Sequence, residues 1–405
     1  MTLQLRWMTL TSLHKRQLKH SLSEFEFPLC VPPLQHIMRT SCKRLIQGDE
    51  AEINRTSILS TKDLHLQKDL NVHIGELRSC SNYLRSRRFI HHAMRTELDF
   101  PIAYSILIFK DFDQFVSLLE AIWRPQNVYC VHVDWKSSHV FHVAVRRLTS
   151  CFTNVFIASR TVRVQWGTFT VLEPELVCMK DMWRLQTKWR YFINLTGQEF
   201  PLKTNYELVK ILQAYNGTND IFGTSRRANK GRWSGALPAP HAITPMKGPV
   251  HVIASRGFVE FVLHSHVAHD FLQWTTKTKY PDETFFASLN NNKHLEVPGH
   301  YAGDPENRDR KFFGRYKIWK DYGLPCRGRY VRLICVFGVG DLARLTTAVG
   351  LFANKFHASF QPMAYQCVRE WYFQKVEREL HGHLDFDVSL YRQHAERASR
   401  DSNAV

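Results

Sequence analysis

The sequence predicts an α/β protein with a mostly parallel central sheet flanked by helices, and two observations carry that expectation. Apolar runs of strand length recur along the chain, and most are followed by a segment whose apolar residues return at helical spacing. Alternation of this kind builds parallel sheets with helices on both faces. Composition agrees: of 405 residues, 44% are hydrophobic, 13% aromatic and 22% charged, which excludes collagen-like, disordered and low-complexity classes.

The first element is the run Ile102 to Phe109, a buried strand that begins after Phe100-Pro101. Asp111 to Trp123 follows as an amphipathic helix, with Phe115, Leu118, Leu119 and Ile122 at i, i+3, i+4 and i+7. Asn127 to Val133 is a second strand, His139 to Leu148 a helix and Asn154 to Ala158 a third strand. Pro174 to Leu185 reads as a helix with proline in its first turn, Tyr191 to Leu195 as a strand, and Asn205 to Tyr215 as a helix capped by Thr204 or Asn205. Gly231 to Pro249 is dense in Gly and Pro and should be a loop at the surface or over a site. Val250 to Ala254 restores a strand, Phe258 to His264 and Asp282 to Leu289 are helical, Asn290 to about Arg315 is irregular, and Val331 to Phe337 is a last strand. The chain thus divides into a polar, partly irregular, stem-like segment over 1–99, a main domain over 100–370 and a polar tail over 371–405.

The net charge of +17 draws anions, whether nucleic acid, anionic lipid or a phosphorylated donor. The densest basic clusters, Arg85, Arg87, Arg88 and Arg308, Arg310, Lys311, lack interleaved aromatics, so no nucleic-acid partner is expected. No apolar run reaches the length of a membrane helix, and Met1 to Ser21 shows no signal-peptide pattern. None of the nine cysteines are spaced CxxC, which disfavours zinc fingers and thioredoxin-like chemistry, and they fit buried thiols or half-cystines equally well. Sequons begin at Asn54, Asn194 and Asn216. Zincin, P-loop, α/β-hydrolase and dinucleotide motifs are absent.

Ligands of such sheets bind beyond the carboxyl ends of the strands. Asp134, Trp135 and Lys136 follow the second strand; the acid could accept from a base or ribose and the lysine meet a phosphate, or the two could be a helix cap and a solvated side chain. Two Asp-x-Asp triplets, a pattern that can hold a metal against a diphosphate, start a helix at Asp111 and lie in the tail at Asp385. Both are expected to be structural, and no metal site is expected.

Several segments in order then resemble the β-1,6-N-acetylglucosaminyltransferases that branch mucin core 2 and I-antigen glycans. They are Phe100 to Ser105, Pro125 to Asp134, Cys151 to Ser159, Phe200 to Asn205, Pro281-Asp-Glu283, Gly338 to Leu342 and Leu351 to Phe356, and the resemblance covers about residues 42–370. It implies a GT-A-like catalytic domain over 100–370, UDP-N-acetylglucosamine as donor, a glycan or glycoprotein acceptor, inversion on transfer to a 6-hydroxyl, and neither metal nor other cofactor. By position it implies Glu283 as catalytic base, and Arg332 with Lys355 as the cations that receive the diphosphate. Leu107, Ile108, Phe109, Asp134, Trp135, Lys136 and Trp166 fall in its uridine surround, and Arg232 at the acceptor. It implies disulfides Cys42–Cys367, Cys80–Cys151, Cys130–Cys178 and Cys326–Cys335, with Cys30 left over. The setting is then the Golgi lumen or membrane in type II topology, although the family's N-terminal anchor is not readable. Ile221 and Phe222 stand where the family has an acid, with Asp220 the nearest carboxylate, and the loop after Trp233 is short. The Asn194 sequon falls in a strand and is expected to stay unmodified. A related peptide O-xylosyl transfer and a non-catalytic, lectin-like or scaffold role on the same fold are the alternatives.

Overall fold

The structure is a computed structural model and describes residues 41–59, 68–321, 323–357 and 359–399. Cys30 and the N-terminal stretch where an anchor would be sought lie outside them. Nine strands form among the described residues: β1 (Ile102–Ile108), β2 (Val128–Val133), β3 (Val155–Ile157), β4 (Tyr191–Thr196), β5 (Glu199–Pro201), β6 (Ile253–Ser255), β7 (Arg329–Val331), β8 (Ile334–Val336) and β9 (Phe352–Asn354).

The central sheet has the order β3-β2-β1-β4-β6. Strands β1 to β4 are parallel, and β6 runs antiparallel at the edge. The pleat sorts its side chains. Ile102, Tyr104, Ile106 and Ile108 of β1 join Tyr129, Val131 and Val133 of β2 and Ile193 of β4 in one core, beneath the helices Phe112–Ile122, His139–Thr149 and Asn205–Tyr215. Ala103, Cys130, Phe192 and Ala254 face the other way, into a core shared with the helices Glu173–Trp183, Arg256–His264, His266–Thr275 and Phe285–Asn291. The chain leaves β1 towards β2 and β3, then returns to place β4 on the other side of β1. That reversal opens a crevice at the carboxyl ends of β1, β2 and β4.

Local signals held best. The helix Asn205–Tyr215 begins at Thr204, whose Oγ1 accepts from the Glu207 amide while Glu207 accepts from the Thr204 amide. Three readings change. The expected strand Val331 to Phe337 is a hairpin, β7 and β8, turning at Arg332 and Leu333. The described part of 1–99 is not irregular: five short helices occupy it, and Leu45, Ile53, Leu77 and Tyr83 are buried against the main domain. The C-terminal segment is likewise packed, through the helices Pro362–Leu380 and Ser389–Ser399 with Tyr372, Tyr391 and Ala395 buried. Single short helices with few apolar residues give little periodic signal, and their burial follows from long-range packing.

Four disulfides join Cys42 to Cys367, Cys80 to Cys151, Cys130 to Cys178 and Cys326 to Cys335. These are the pairs that the resemblance implies. The first ties the N-terminal helix Cys42–Ile46 to Pro362–Leu380 across 325 residues. The Asn194 amide is buried, donating to Glu175 and to the Val250 carbonyl and accepting from the Val252 amide, so a glycan has no room there. Among the described residues no helix is long and apolar enough to cross a membrane.

Candidate active site

At the carboxyl end of β1 the Ile108 side chain is buried in the core, and its carbonyl accepts from the Asp134 amide at 2.9 Å. The Leu107 carbonyl is likewise taken, by the Gly197 amide. Phe109 is therefore the residue of this trio that offers a face to solvent, at 52% exposure. Asp134 turns back on itself: its Oδ1 accepts from the Lys136 amide, and Lys136 Nζ lies 3.6 Å from Oδ2. The cap of the next helix is Ser138. Asp134 thus shapes a turn whose other backbone anchors are Trp135 N to the Val162 carbonyl and Ser137 Oγ to the Phe109 carbonyl. Trp135 is half-exposed beside the Arg163 guanidinium. A cavity of about 420 Å³ lies between the two strand ends, lined by Lys68, Lys110 and Lys136, by Phe109, Phe112 and Phe141, and by the carboxylates of Asp111 and Asp113.

A cluster of positive charge borders this region. Arg332 and Leu333 are the two turn residues of the β7–β8 hairpin, at φ of 50° and 67°. Such turns favour Gly or Asn, and larger residues there cost about 1 to 3 kcal/mol each, a strain that clusters at functional sites. The hairpin is held by the Cys326–Cys335 disulfide and by buried Asp341, which accepts from the amides of Arg327 and Gly338. Lys355 follows β9, half-buried. Burial, then the charges of Arg332 and Lys110, lowers its pKa. His357 is pushed down to about 4 by burial and by Lys355, Lys110 and Arg329. Among the described residues neither Arg332 nor Lys355 has a carboxylate within ion-pair distance, while Lys110 lies 3.6 Å from Asp111. Lys317, which sequence reasoning missed, sits within electrostatic reach of both Lys355 and Glu283, and burial lowers it to about 8.

Glu283 ends a single 3₁₀ turn, Pro281–Glu283, instead of opening the expected helix, which starts at Phe285. Its carbonyl accepts from the Gly248 amide. A Cβ on Gly248 would meet the Phe222 carbonyl oxygen at 2.2 Å, so this approach needs glycine. Its Oε2 accepts from Arg232 Nη1 at 2.9 Å, with the Arg232 side chain 10% exposed and that of Glu283 33%. Beside it, Asp282 is pushed up to about 7 by burial first and by the Glu283 charge second. Tyr280, also missed from sequence, is the link between these groups. Its ring lies 5.0 Å from that of Trp166 and 5.2 Å from the Arg232 guanidinium, while the Arg332 guanidinium lies 5.6 Å over Trp166. Trp166 and Tyr280 therefore form a wall joining the cation cluster to the Arg232–Glu283 pair.

Asp220 does not join them. It is buried and accepts from the Phe313 amide. At the next two positions Ile221 is core, and the Phe222 ring is covered by the guanidinium groups of Arg227 and Arg310. The first Asp-x-Asp triplet lines the cavity at the strand ends, and acids of both triplets also have local structural roles. Asp113 faces His73 at 2.8 Å and accepts from the Lys68 amide, Asp111 occupies the N-cap of its helix at φ 58° without a side-chain capping bond, and Asp387 accepts from the Ser389 amide before the last helix. The group of possible metal ligands found among the described residues, Cys326, Cys335 and Asp341, has both sulfurs in a disulfide.

Comparison with known proteins points one way. The family model described as "Core-2/I-Branching enzyme" matches residues 102–346. The chain is 37% identical to a Mus musculus N-acetyllactosaminide beta-1,6-N-acetylglucosaminyl-transferase, over 73% of this chain and 78% of the relative. It is 33% identical to Homo sapiens beta-1,3-galactosyl-O-glycosyl-glycoprotein beta-1,6-N-acetylglucosaminyltransferase 3, over 82% of each. A Danio rerio beta-1,3-galactosyl-O-glycosyl-glycoprotein beta-1,6-N-acetylglucosaminyltransferase 4 is 35% identical over 82% of this chain and 83% of its own length.

Proposed function

The chain belongs to the Core-2/I-branching enzyme family, and from that premise we propose that it transfers N-acetylglucosamine from UDP-N-acetylglucosamine to the 6-hydroxyl of a glycan acceptor, with inversion and without metal. The observation that carries this reading is the cluster of Arg332, Lys355 and Lys110, in which the first two have no carboxylate within ion-pair distance among the described residues and Lys110 reaches the cavity at the strand ends. Like charges pressed together repel, and a diphosphate would relieve that repulsion.

In this mechanism the acceptor oxygen attacks the anomeric carbon, its proton passes to the Glu283 carboxylate, and the bond from that carbon to the β-phosphate oxygen breaks with its electron pair leaving on UDP. Arg332 and Lys355 receive the charge that grows on the diphosphate. A planar guanidinium and a compact ammonium supply there what a divalent ion supplies in other transferases. Phe109 and Trp135 present aromatic faces at the uridine end, and Arg232 orients Glu283 towards the acceptor. Placement in the lumen of the secretory pathway, at the Golgi, fits four disulfides, which persist in oxidising compartments.

The test is a donor screen on a glycan array with UDP-N-acetylglucosamine and UDP-xylose, with and without EDTA. Incorporation of N-acetylglucosamine unaffected by chelation is the expected result. Preference for UDP-xylose, or activity that vanishes with EDTA and returns with manganese, would replace this reading.

A further inference from the structure

The two cations assigned to the diphosphate lie on different elements, Arg332 at the hairpin turn and Lys355 after β9, joined directly, among the described residues, only where the Phe337 amide donates to the Lys355 carbonyl, so their spacing depends on what holds β9 and the hairpin in place. Strand β5 pairs antiparallel with β9, placing Glu199 directly opposite Asn354, the residue before Lys355. Glu199 is fully buried. Its Oε1 accepts from Asn354 Nδ2 at 2.6 Å, with the ring of His251 at 3.4 Å. Its Oε2 accepts from the Thr196 amide at the end of β4 and lies 3.1 Å from Arg315 Nε, which is equally buried.

Arg315 begins a segment stitched to both cation carriers. On one side Tyr316 N donates to the Phe352 carbonyl and Asn354 N to the Tyr316 carbonyl. On the other, Cys335 N donates to the Ile318 carbonyl and Lys320 N to the Leu333 carbonyl. One buried carboxylate thus contacts the Lys355 strand directly and the Arg332 hairpin through Arg315 and the backbone of 316–320. A buried ion pair gives little net stability, because desolvation offsets the attraction, which leaves geometry as its main contribution.

We propose that Glu199 is a positioning residue whose buried carboxylate, through Asn354 and Arg315, sets the separation of Lys355 and Arg332 to match a nucleoside diphosphate. The proposal rests on the donor reading above. It assigns Glu199 no contact with substrate.

Glu199→Gln leaves the Arg315 charge buried without its partner and could prevent folding, so Asn354→Ala, which removes only the side-chain bond to Glu199 and keeps the backbone pairing of β5 with β9, is the primary variant. UDP affinity by isothermal titration calorimetry and the KM values for donor and acceptor are the readouts, with circular dichroism melting as a control. Asn354→Ala should weaken UDP binding and raise donor KM by about tenfold, the scale on which supporting hydrogen bonds act at ligand-holding residues, with the acceptor KM unchanged. In a Lys355→Ala background the same substitution should add less than roughly a twofold loss, since its effect runs through the lysine. Wild-type binding of UDP with unchanged affinity in Asn354→Ala, or a full additional loss in the Lys355→Ala background, overturns the positioning role alone. Failure of the wild-type protein to bind UDP overturns the donor reading and this proposal with it.

Discussion

The two ends of the Trp166–Tyr280 wall handle charge in opposite ways. At one end Arg332 and Lys355 stand together without a carboxylate partner among the described residues, the first on a strained turn held by a disulfide and the second after a short strand held by a buried carboxylate. At the other, Arg232 and Glu283 already neutralise each other at 2.9 Å, and Asp282 is held towards its neutral form. An uncompensated cluster in a folded protein stores repulsion that an anionic ligand can release, whereas a compensated pair stores none. On the proposed reading the phosphate meets the first end and proton transfer takes place at the second.

The largest effect expected from this contrast is at Glu283. Glu283→Gln keeps the size and the polar contact to Arg232 but removes the base, so kcat should fall by about 10²- to 10⁴-fold while UDP affinity stays within twofold or so by calorimetry. A loss of UDP binding that matched the loss of rate would erase the distinction between the two ends. At the other end, Arg332→Ala and Lys355→Ala each remove a charge-assisted contact of about 1.5 to 3 kcal/mol, or roughly 10- to 100-fold in UDP affinity. Added salt should weaken wild-type UDP binding more than it weakens either variant's. Equal salt sensitivity in all three proteins would mean that the phosphate meets other charges.

The smallest effect concerns Asp282. Its folded pKa of about 7 exceeds its ordinary value of 3.8, so the folded state holds a proton that the unfolded state has released between those values. Stability from this group is complete below pH 4 and declines as pH rises to about 7, after which the deficit is constant. Asp282→Asn removes that dependence, so its melting temperature should gain on the wild type between pH 4 and pH 7 and then run parallel. Parallel curves across the whole range would show that Asp282 is ionised in the folded protein and that the acceptor end carries two negative charges.

Much of the sheet was legible from sequence because burial on both faces leaves continuous apolar runs, and the helices that cover it keep a local period. Trp135 and Lys136 could be named for the same reason, since they follow directly from where a strand ends, whereas Phe109 was reached only through the resemblance. The edge pair β5 and β9, of three residues each, has no such signature, because its pairing joins positions far apart in the chain. The hairpin turn at Arg332 was hidden because neither turn residue is Gly or Asn, so the segment reads as one strand. Tyr280 and Lys317 carry no motif of their own; only their neighbours in space give them a role.

The sequence by itself determined the α/β class, the order of the main strands and helices and, through segments resembling a known family, the candidates Glu283, Arg332 and Lys355. Local periodicity encodes the class and the element order, since it depends on residues within a turn or two of one another, whereas the three candidates come only through the resemblance. The tertiary structure alone decided that Glu283 is engaged by Arg232, that Lys110 joins Lys355 and Arg332, that Asp220 turns into the core, and that Glu199 ties β9 to Arg315. Each of those depends on long-range Coulomb and hydrogen-bond partners, brought together only once the apolar cores have packed.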